Sequence, residues 1–153
     1  MNFLAIDFET ANYQRHSACS VGLVKVEAGV GTEKIVYIIG PPPRMNLSLP
    51  TFMGFKWSDV ALTDDFGKLW PRIQSLFEGI DFLAAHNASF DKGVLHACCQ
   101  LYKIEIPEIP FQCSMQLARK RLGIYPTKLS DVCRHLKNEL NHHEALSDAH
   151  ACT

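Results

Sequence analysis

Phe3-Leu4-Ala5-Ile6-Asp7-Phe8-Glu9-Thr10 opens the chain with an apolar run that ends in two acids. Phe3 to Phe8, mostly apolar and including Ile6, reads as a strand. Side chains two apart on a strand point to one face. Asp7 and Glu9 therefore present two carboxylates together, at the end of a strand that is otherwise apolar. Taken alone, such a pair is also what a solvated strand end shows.

The neighbouring segments decide what that strand belongs to. Ala18 to Val26 alternates, with Val21, Leu23 and Lys25 on one side and Gly22, Val24 and Val26 on the other. Ala28 to Gly31 is glycine-rich and reads as a hairpin turn, and Glu33 to Ile39 as a third strand. Three early strands joined by short turns predict an antiparallel start to a sheet. Gly40 to Pro50 holds four prolines and reads as a loop, and Thr51 to Ala61 as irregular. Thr63 to Phe77 reads as a helix capped by Thr63, with Phe66, Leu69, Ile73, Leu76 and Phe77 on its apolar face, a kink at Pro71 and a stop at Gly79. Asp81 to Ala85 is a short buried strand. Ser89 caps a helix to about Tyr102, with Phe90, Val94, Leu95, Cys98 and Leu101 inward. Phe111 to Met115 is a short strand leading into a helix to Leu122. Ser130 caps a further helix with Val132, Cys133, Leu136 and Leu140 inward, and a last helix starts near Ala145. This order predicts an α/β fold, a mixed sheet flanked by helices.

At 153 residues the chain fits one domain, which buries roughly 70% of its unfolded surface. A hydrophobic content of 47% with 20% charged residues reads as globular, and no apolar run is long enough for a membrane span. The N-terminal stretch carries acids where a signal peptide has basic and apolar regions, so the cytoplasm is the expected location. A net charge of −1 argues against a protein that coats long nucleic acid, but not against an enzyme that grips a few nucleotides at an end. The six cysteines form no CxxC pair, which speaks against a zinc ribbon and for reduced core thiols.

Two further acidic segments lie downstream. In His86-Asn87-Ala88-Ser89-Phe90-Asp91 a strand runs into a turn, and Asp91 lands in the first turn of a helix, where the helix dipole favours an acid anyway. In His143-Glu144-Ala145-Leu146-Ser147-Asp148, residues five apart on one helix would lie about 140° around its axis. The spacing makes sense if His143 precedes the helix and reaches over it while Asp148 projects from it. Two carboxylates ~5 Å apart repel by about 3 kcal/mol at an effective dielectric of ~20. Four in one cleft are costly unless cations fill it, and two Mg²⁺ or Mn²⁺ ions, which prefer oxygen ligands, would cancel the four charges.

The ordered set DFET, HNASFD and HHEALSDA resembles the DEDDh 3′–5′ exonuclease family, to which proofreading epsilon subunits of bacterial DNA polymerase III and RNase T belong. The resemblance covers Asn2 to Ala151. It implies an RNase H-like mixed five-stranded sheet, and one exonuclease domain over residues 1–153. The early end of the last helix is what a C-terminal truncation or excision from a longer chain would leave. It implies a two-metal-ion 3′–5′ exonuclease that releases nucleoside 5′-monophosphates from nucleic acid, with DNA favoured. By the resemblance Asp7 touches both metals, Glu9 and Asp148 help hold the one that activates water, Asp91 serves the second, and His143 is the general base. Thr10 approaches the terminal nucleotide by its backbone, and Asn87 and Phe90 line its pocket. The implied partners are a single-stranded 3′ end and, for proofreading members, a DNA polymerase or a fused C-terminal domain, in replication or repair.

The chain departs from the family after strand three, where Met53-Gly54-Phe55 is the nearest counterpart of an apolar-glycine turn that contacts the terminal base. Phe55, with Phe52 or Trp57, is the candidate for stacking there. Arg119-Lys120-Arg121, with Lys128 nearby, reads either as a phosphate-binding run or as a solvated helix face. The rival functional readings are a non-catalytic module that docks on nucleic acid or a polymerase, and a hydrolase of dinucleotides.

Overall fold

The computed structural model describes residues 1–42, 60, 62–138, 140 and 144–153. Five strands form one mixed sheet: β1 (Phe3–Thr10), β2 (Ala18–Glu27), β3 (Val30–Ile38), β4 (Phe82–Ala85) and β5 (Phe111–Cys113), in the order β3-β2-β1-β4-β5. The β1–β2 and β2–β3 pairs are antiparallel, and β1–β4 and β4–β5 parallel. The β2–β3 hairpin is tighter than the sequence suggests. Ala28 and Gly29 both take positive φ, 52° and 82°, and Glu27 already pairs with Val30. A two-residue turn of this kind matches the twist of its strands, so the ladder starts at Val30 rather than Glu33.

Among the described residues the helices with defined bounds are α1 (Phe66–Ile73), continued by a 3₁₀ turn at Gln74–Phe77, then α2 (Ser89–Tyr102), α3 (Ser114–Leu122), α4 (Leu129–Leu136) and α5 (Ala145–His150). Several expected caps and faces are corrected. Asp65, not Thr63, caps α1, accepting from Lys68 N–H at 3.0 Å, while the Thr63 hydroxyl donates to Val60 O. The single long helix is broken into α1, which contains Pro71, and the 3₁₀ turn. Ser89 and Ser130 lie inside α2 and α4 and cap neither. Leu101 and Leu136, expected inward, are 46% and 49% exposed. In α4 the buried stripe is Leu129, Val132 and Cys133 at helical spacing, which leaves Leu136 on the far side. Leu140 lies beyond the end of α4.

Alternation along β1 sends its residues to two cores. Leu4, Ile6 and Phe8 pack with Val21, Leu23, Phe66, Leu69, Val94 and Leu95, under α1 and α2. Phe3 and Ala5 pack with Val24, Val26 and Ala149, under α5. By period two, Asp7 and Glu9 continue the Phe3–Ala5 row, on the face that α5 covers. All six cysteines are free thiols, and none of the described helices is long and apolar enough to cross a membrane.

Candidate active site

The site forms where β1 outruns its parallel neighbour. β4 pairs with β1 only at Phe3, Leu4 and Ala5 and then ends at Ala85. The N–H of Phe8 therefore has no strand partner on that side, and the carboxylate of Asp91, in the first turn of α2, accepts from it at 2.9 Å. Asp91 is 1% exposed and so is locked against β1 just behind Asp7.

Asp148 arrives from the opposite end of the described chain. α5 can lie on the sheet because Gly22, which pairs with Asp7, has no side chain. A Cβ at Gly22 would overlap the carbonyl of Ala145 and the N–H of Leu146. With the backbones this close, side-chain oxygens of Asp7, Glu9 and Asp148 all lie within 4.8 Å of one another. At that separation each ionised pair repels by about 3.5 kcal/mol at an effective dielectric of ~20.

Proton affinities reflect this crowding. Burial first, then the charges of Asp91, Glu9 and Asp148, push Asp7 up to about 9. Burial and Asp148 push Glu9 up to about 7. Burial pushes Asp91 up to about 7, against its Phe8 hydrogen bond and the Arg15 guanidinium, with Glu9 adding to the rise. Oxygen donors in a compact, electrostatically unfavourable cluster fit a hard divalent cation.

The sequence-derived positions divide into three groups. Asp7, Glu9 and Asp148 come together. Asp91 stands beside them with an oxygen on Phe8 N–H. Thr10 is half-buried where the β1–β2 register shifts, exposed Asn87 takes a φ of 62°, and half-buried Phe90 packs against the larger core. His143 and Phe55 lie outside the described residues, as do Phe52, Met53, Gly54 and Trp57. α5 begins at Ala145, with Glu144 at its N-cap position.

Sequence reasoning missed three supports. Gly22 is the first, and a lone glycine inside a strand does signal close backbone approach. Arg15 is the second. Its Nη1 donates to the carbonyls of Ser89, at 3.3 Å, and Phe90, at 2.9 Å, and its guanidinium sits 5.7 Å from the Phe90 ring centroid. The third is a polar chain behind the acids. His86 Nε2 lies 3.0 Å from Thr127 O and Nδ1 2.8 Å from Ser114 Oγ, which lies 3.7 Å from Cys152 Sγ. A carbonyl can only accept, so Nε2 carries a proton. In the neutral ring Ser114 then donates to Nδ1 and can accept from the Cys152 thiol. Burial, together with the charges of Asp7, Asp91 and Asp148, pushes that thiol up to about 12.

The exonuclease family model matches residues 4–153. The chain belongs to the exonuclease family. Its DFET, HNASFD and HHEALSDA segments place it with the DEDDh-type 3′–5′ members. A PolC-type DNA polymerase III from Oceanobacillus iheyensis is 28% identical over 97% of the chain, which spans only 11% of that protein. Exonuclease X in complex with 5′-overhanging duplex DNA superposes with a TM-score of 0.72 at 23% identity, over 97% of this chain and 85% of that one. A zinc-bound complex of Escherichia coli exonuclease I with single-stranded DNA gives 0.81 at 16% identity, over 98% and 38%. The expected RNase H-like architecture is therefore present, and membership implies divalent metal ions.

Proposed function

We propose that this chain is a 3′–5′ exonuclease domain that hydrolyses the terminal phosphodiester bond of a DNA strand and releases a nucleoside 5′-monophosphate. The observation that carries the reading is the meeting of Asp7, Glu9 and Asp148 within 4.8 Å, with Asp91 pinned beside them. Asp7, Glu9 and Asp148 would hold a divalent cation, Mg²⁺ or Mn²⁺, and Asp91 with Asp7 would serve a second. Bound there, the cations would neutralise charge on the reacting phosphate and lower the pKa of water. The protein's own part is positioning and proton transfer. Asp7 and Glu9 are fixed by the β1 ladder, Asp148 by α5, and Asp91 by Phe8. His143 would take the proton from the attacking water; an imidazole titrates near working pH and suits that step. Thr10, Asn87, Phe90 and Phe55 would receive the terminal nucleotide. Arg15 braces Phe90 from outside.

The single strand's 3′ end is the proposed substrate. A polymerase or an adjoining domain is the proposed partner, in line with the PolC-type relative of which this chain spans a small part. The test is a 5′-labelled oligonucleotide incubated with Mg²⁺ or Mn²⁺, with EDTA as control. Shortening in single-nucleotide steps is expected, and an intact oligonucleotide under both metals would leave only a binding module of this fold.

A further inference from the structure

The charge of this chain is unevenly placed. Residues 114–137 hold six of the fifteen Lys and Arg but one of the sixteen Asp and Glu. The segment is therefore strongly basic within a chain of net charge −1. Its one acid, Asp131, is already engaged with Arg134 at 3.4 Å. Among the described residues Lys120, Arg121 and Lys128 take part in no ion pair, and all three are exposed.

Placement gives this charge a direction. α3 has Ala118 as its buried residue, and the rest is half-buried or exposed. Leu117 is 55%, Leu122 41% and Tyr125 86% exposed, so apolar and aromatic surface lies among the cations. α3 starts at the end of the sheet that carries the acids, because β1, β4 and β5 run parallel and Ser114 follows directly on β5, its Oγ 2.8 Å from His86 Nδ1 and 3.7 Å from Cys152 Sγ. Its far end is moored to the same network. Arg119 Nε donates to the buried hydroxyl of Thr127 at 2.7 Å, and Thr127 O faces His86. At ~1.5 Å per residue, Lys120 and Arg121 stand about 10 Å from Ser114 along the axis. A stacked strand covers that distance in about three nucleotides at ~3.4 Å each.

We propose that α3 and the turn after it, from Arg119 to Lys128, form the wall along which a single DNA strand runs into the site. Lys120, Arg121 and Lys128 hold its phosphates from about the third nucleotide onward, and Tyr125 offers a ring to an unstacked base. The inference rests on the exonuclease reading above, since that reading supplies the strand. Charge complementarity favours nucleic acid here. A phosphate backbone attracts cations regardless of sequence and releases its counterions on contact. A wall confined to one helix and turn also reconciles strand binding with a chain that is not basic as a whole.

The test is a combined Lys120→Gln, Arg121→Gln, Lys128→Gln variant, all at exposed positions, compared with wild type for binding to dodecathymidylate and trithymidylate in EDTA across a salt series. Each phosphate contact on a single strand contributes about 0.7 to the slope of log affinity against log salt. The variant should bind the dodecamer with a slope shallower by about 2, which is roughly twentyfold weaker binding at the low end of a fourfold salt range. Its loss on the trimer should be far smaller, because a trimer with a 5′-hydroxyl has only two phosphates and lacks the third, where the wall begins. Equal slopes for variant and wild type on the dodecamer would overturn the proposal, as would an equal loss on both lengths. The same series is run with a dodecauridylate RNA, and a slope change seen only with that RNA would overturn the assignment to DNA. Shortening of the DNA dodecamer by wild type in Mg²⁺ or Mn²⁺ reads the catalytic assignment separately. Strand binding with the predicted slope but no shortening would sink that assignment and not this one.

Discussion

Asp7→Asn removes one charge from the acid cluster while keeping the side chain's shape. In the metal-free protein Asp7 must either stay protonated or repel its neighbours. With its pKa raised from 3.8 to about 9, holding the proton at pH 7 costs about 4 kcal/mol relative to the unfolded chain, at ~1.36 kcal/mol per unit. Burial is the largest cause of that shift, and repulsion adds to it: an ionised pair at 4.8 Å and an effective dielectric of ~20 contributes about 3.5 kcal/mol. Relaxation and water entry reduce both, and about 2–4 kcal/mol is a fair range. The sign follows from proton counting. Between 3.8 and about 9 the folded state binds more protons than the unfolded one, so metal-free wild type loses stability as pH rises through that window. Asp7→Asn should flatten that decline. In EDTA at pH 7 it should raise Tm by roughly 5–15 °C, at ~2–4 °C per kcal/mol for a chain of this size. The same variant should show no Mg²⁺- or Mn²⁺-induced rise in Tm and no nuclease activity. Thermal melts from pH 5 to 9, with and without metal, check all three outcomes. An Asp7→Asn protein less stable than wild type in EDTA, or one stabilised by metal as much as wild type, would refute the reasoning.

Gly22→Ala should place a methyl group against the Ala145 carbonyl and cost about 1–3 kcal/mol by overpacking; its activity should fall by a larger factor than its stability implies, because Asp148 moves with α5, and a fully active, merely destabilised variant would contradict the link. His143→Ala should lower turnover by about 10²–10⁴-fold with metal affinity kept; an unchanged rate and pH profile would exclude His143 as the base. Cys152, with its thiol pushed up to about 12, should resist alkylation at pH 8 in the folded protein and react on unfolding; rapid labelling of native protein, read by mass spectrometry, would show that the thiol is not held in the Ser114 chain.

The sequence disclosed the acids better than their surroundings. Asp7 and Glu9 could be placed on one face because strand periodicity is strict. The face itself was not legible, since that depends on α5 reaching the sheet from the far end of the chain. Asp91 could be placed in a first helical turn, but its bond to Phe8 depends on β4 ending beside β1, a matter of strand length in another segment. Leu101 and Leu136 misled because helical spacing puts a residue near a stripe without saying how wide the buried stripe is. Ser89 and Ser130 looked like caps by residue type, whereas capping depends on where the backbone first turns helical. His86 was visible in its motif, but its partners lie later in the chain, Ser114 on α3 and Thr127 in the loop before α4.

The seat of α5 on Gly22 also sets an order of events. β1, β2 and β3 pair through contacts close in sequence and share the larger core with α1 and α2. α5 adds contacts across nearly the whole described chain, and closing so long a loop comes late in folding. A newly made molecule should therefore hold β1, β2 and β3 paired while the acid cluster still lacks Asp148. Pulse-labelled hydrogen exchange should find β1 and β2 amides protected ahead of those in Ala145–His150, and the opposite sequence of protection would contradict a cleft completed last.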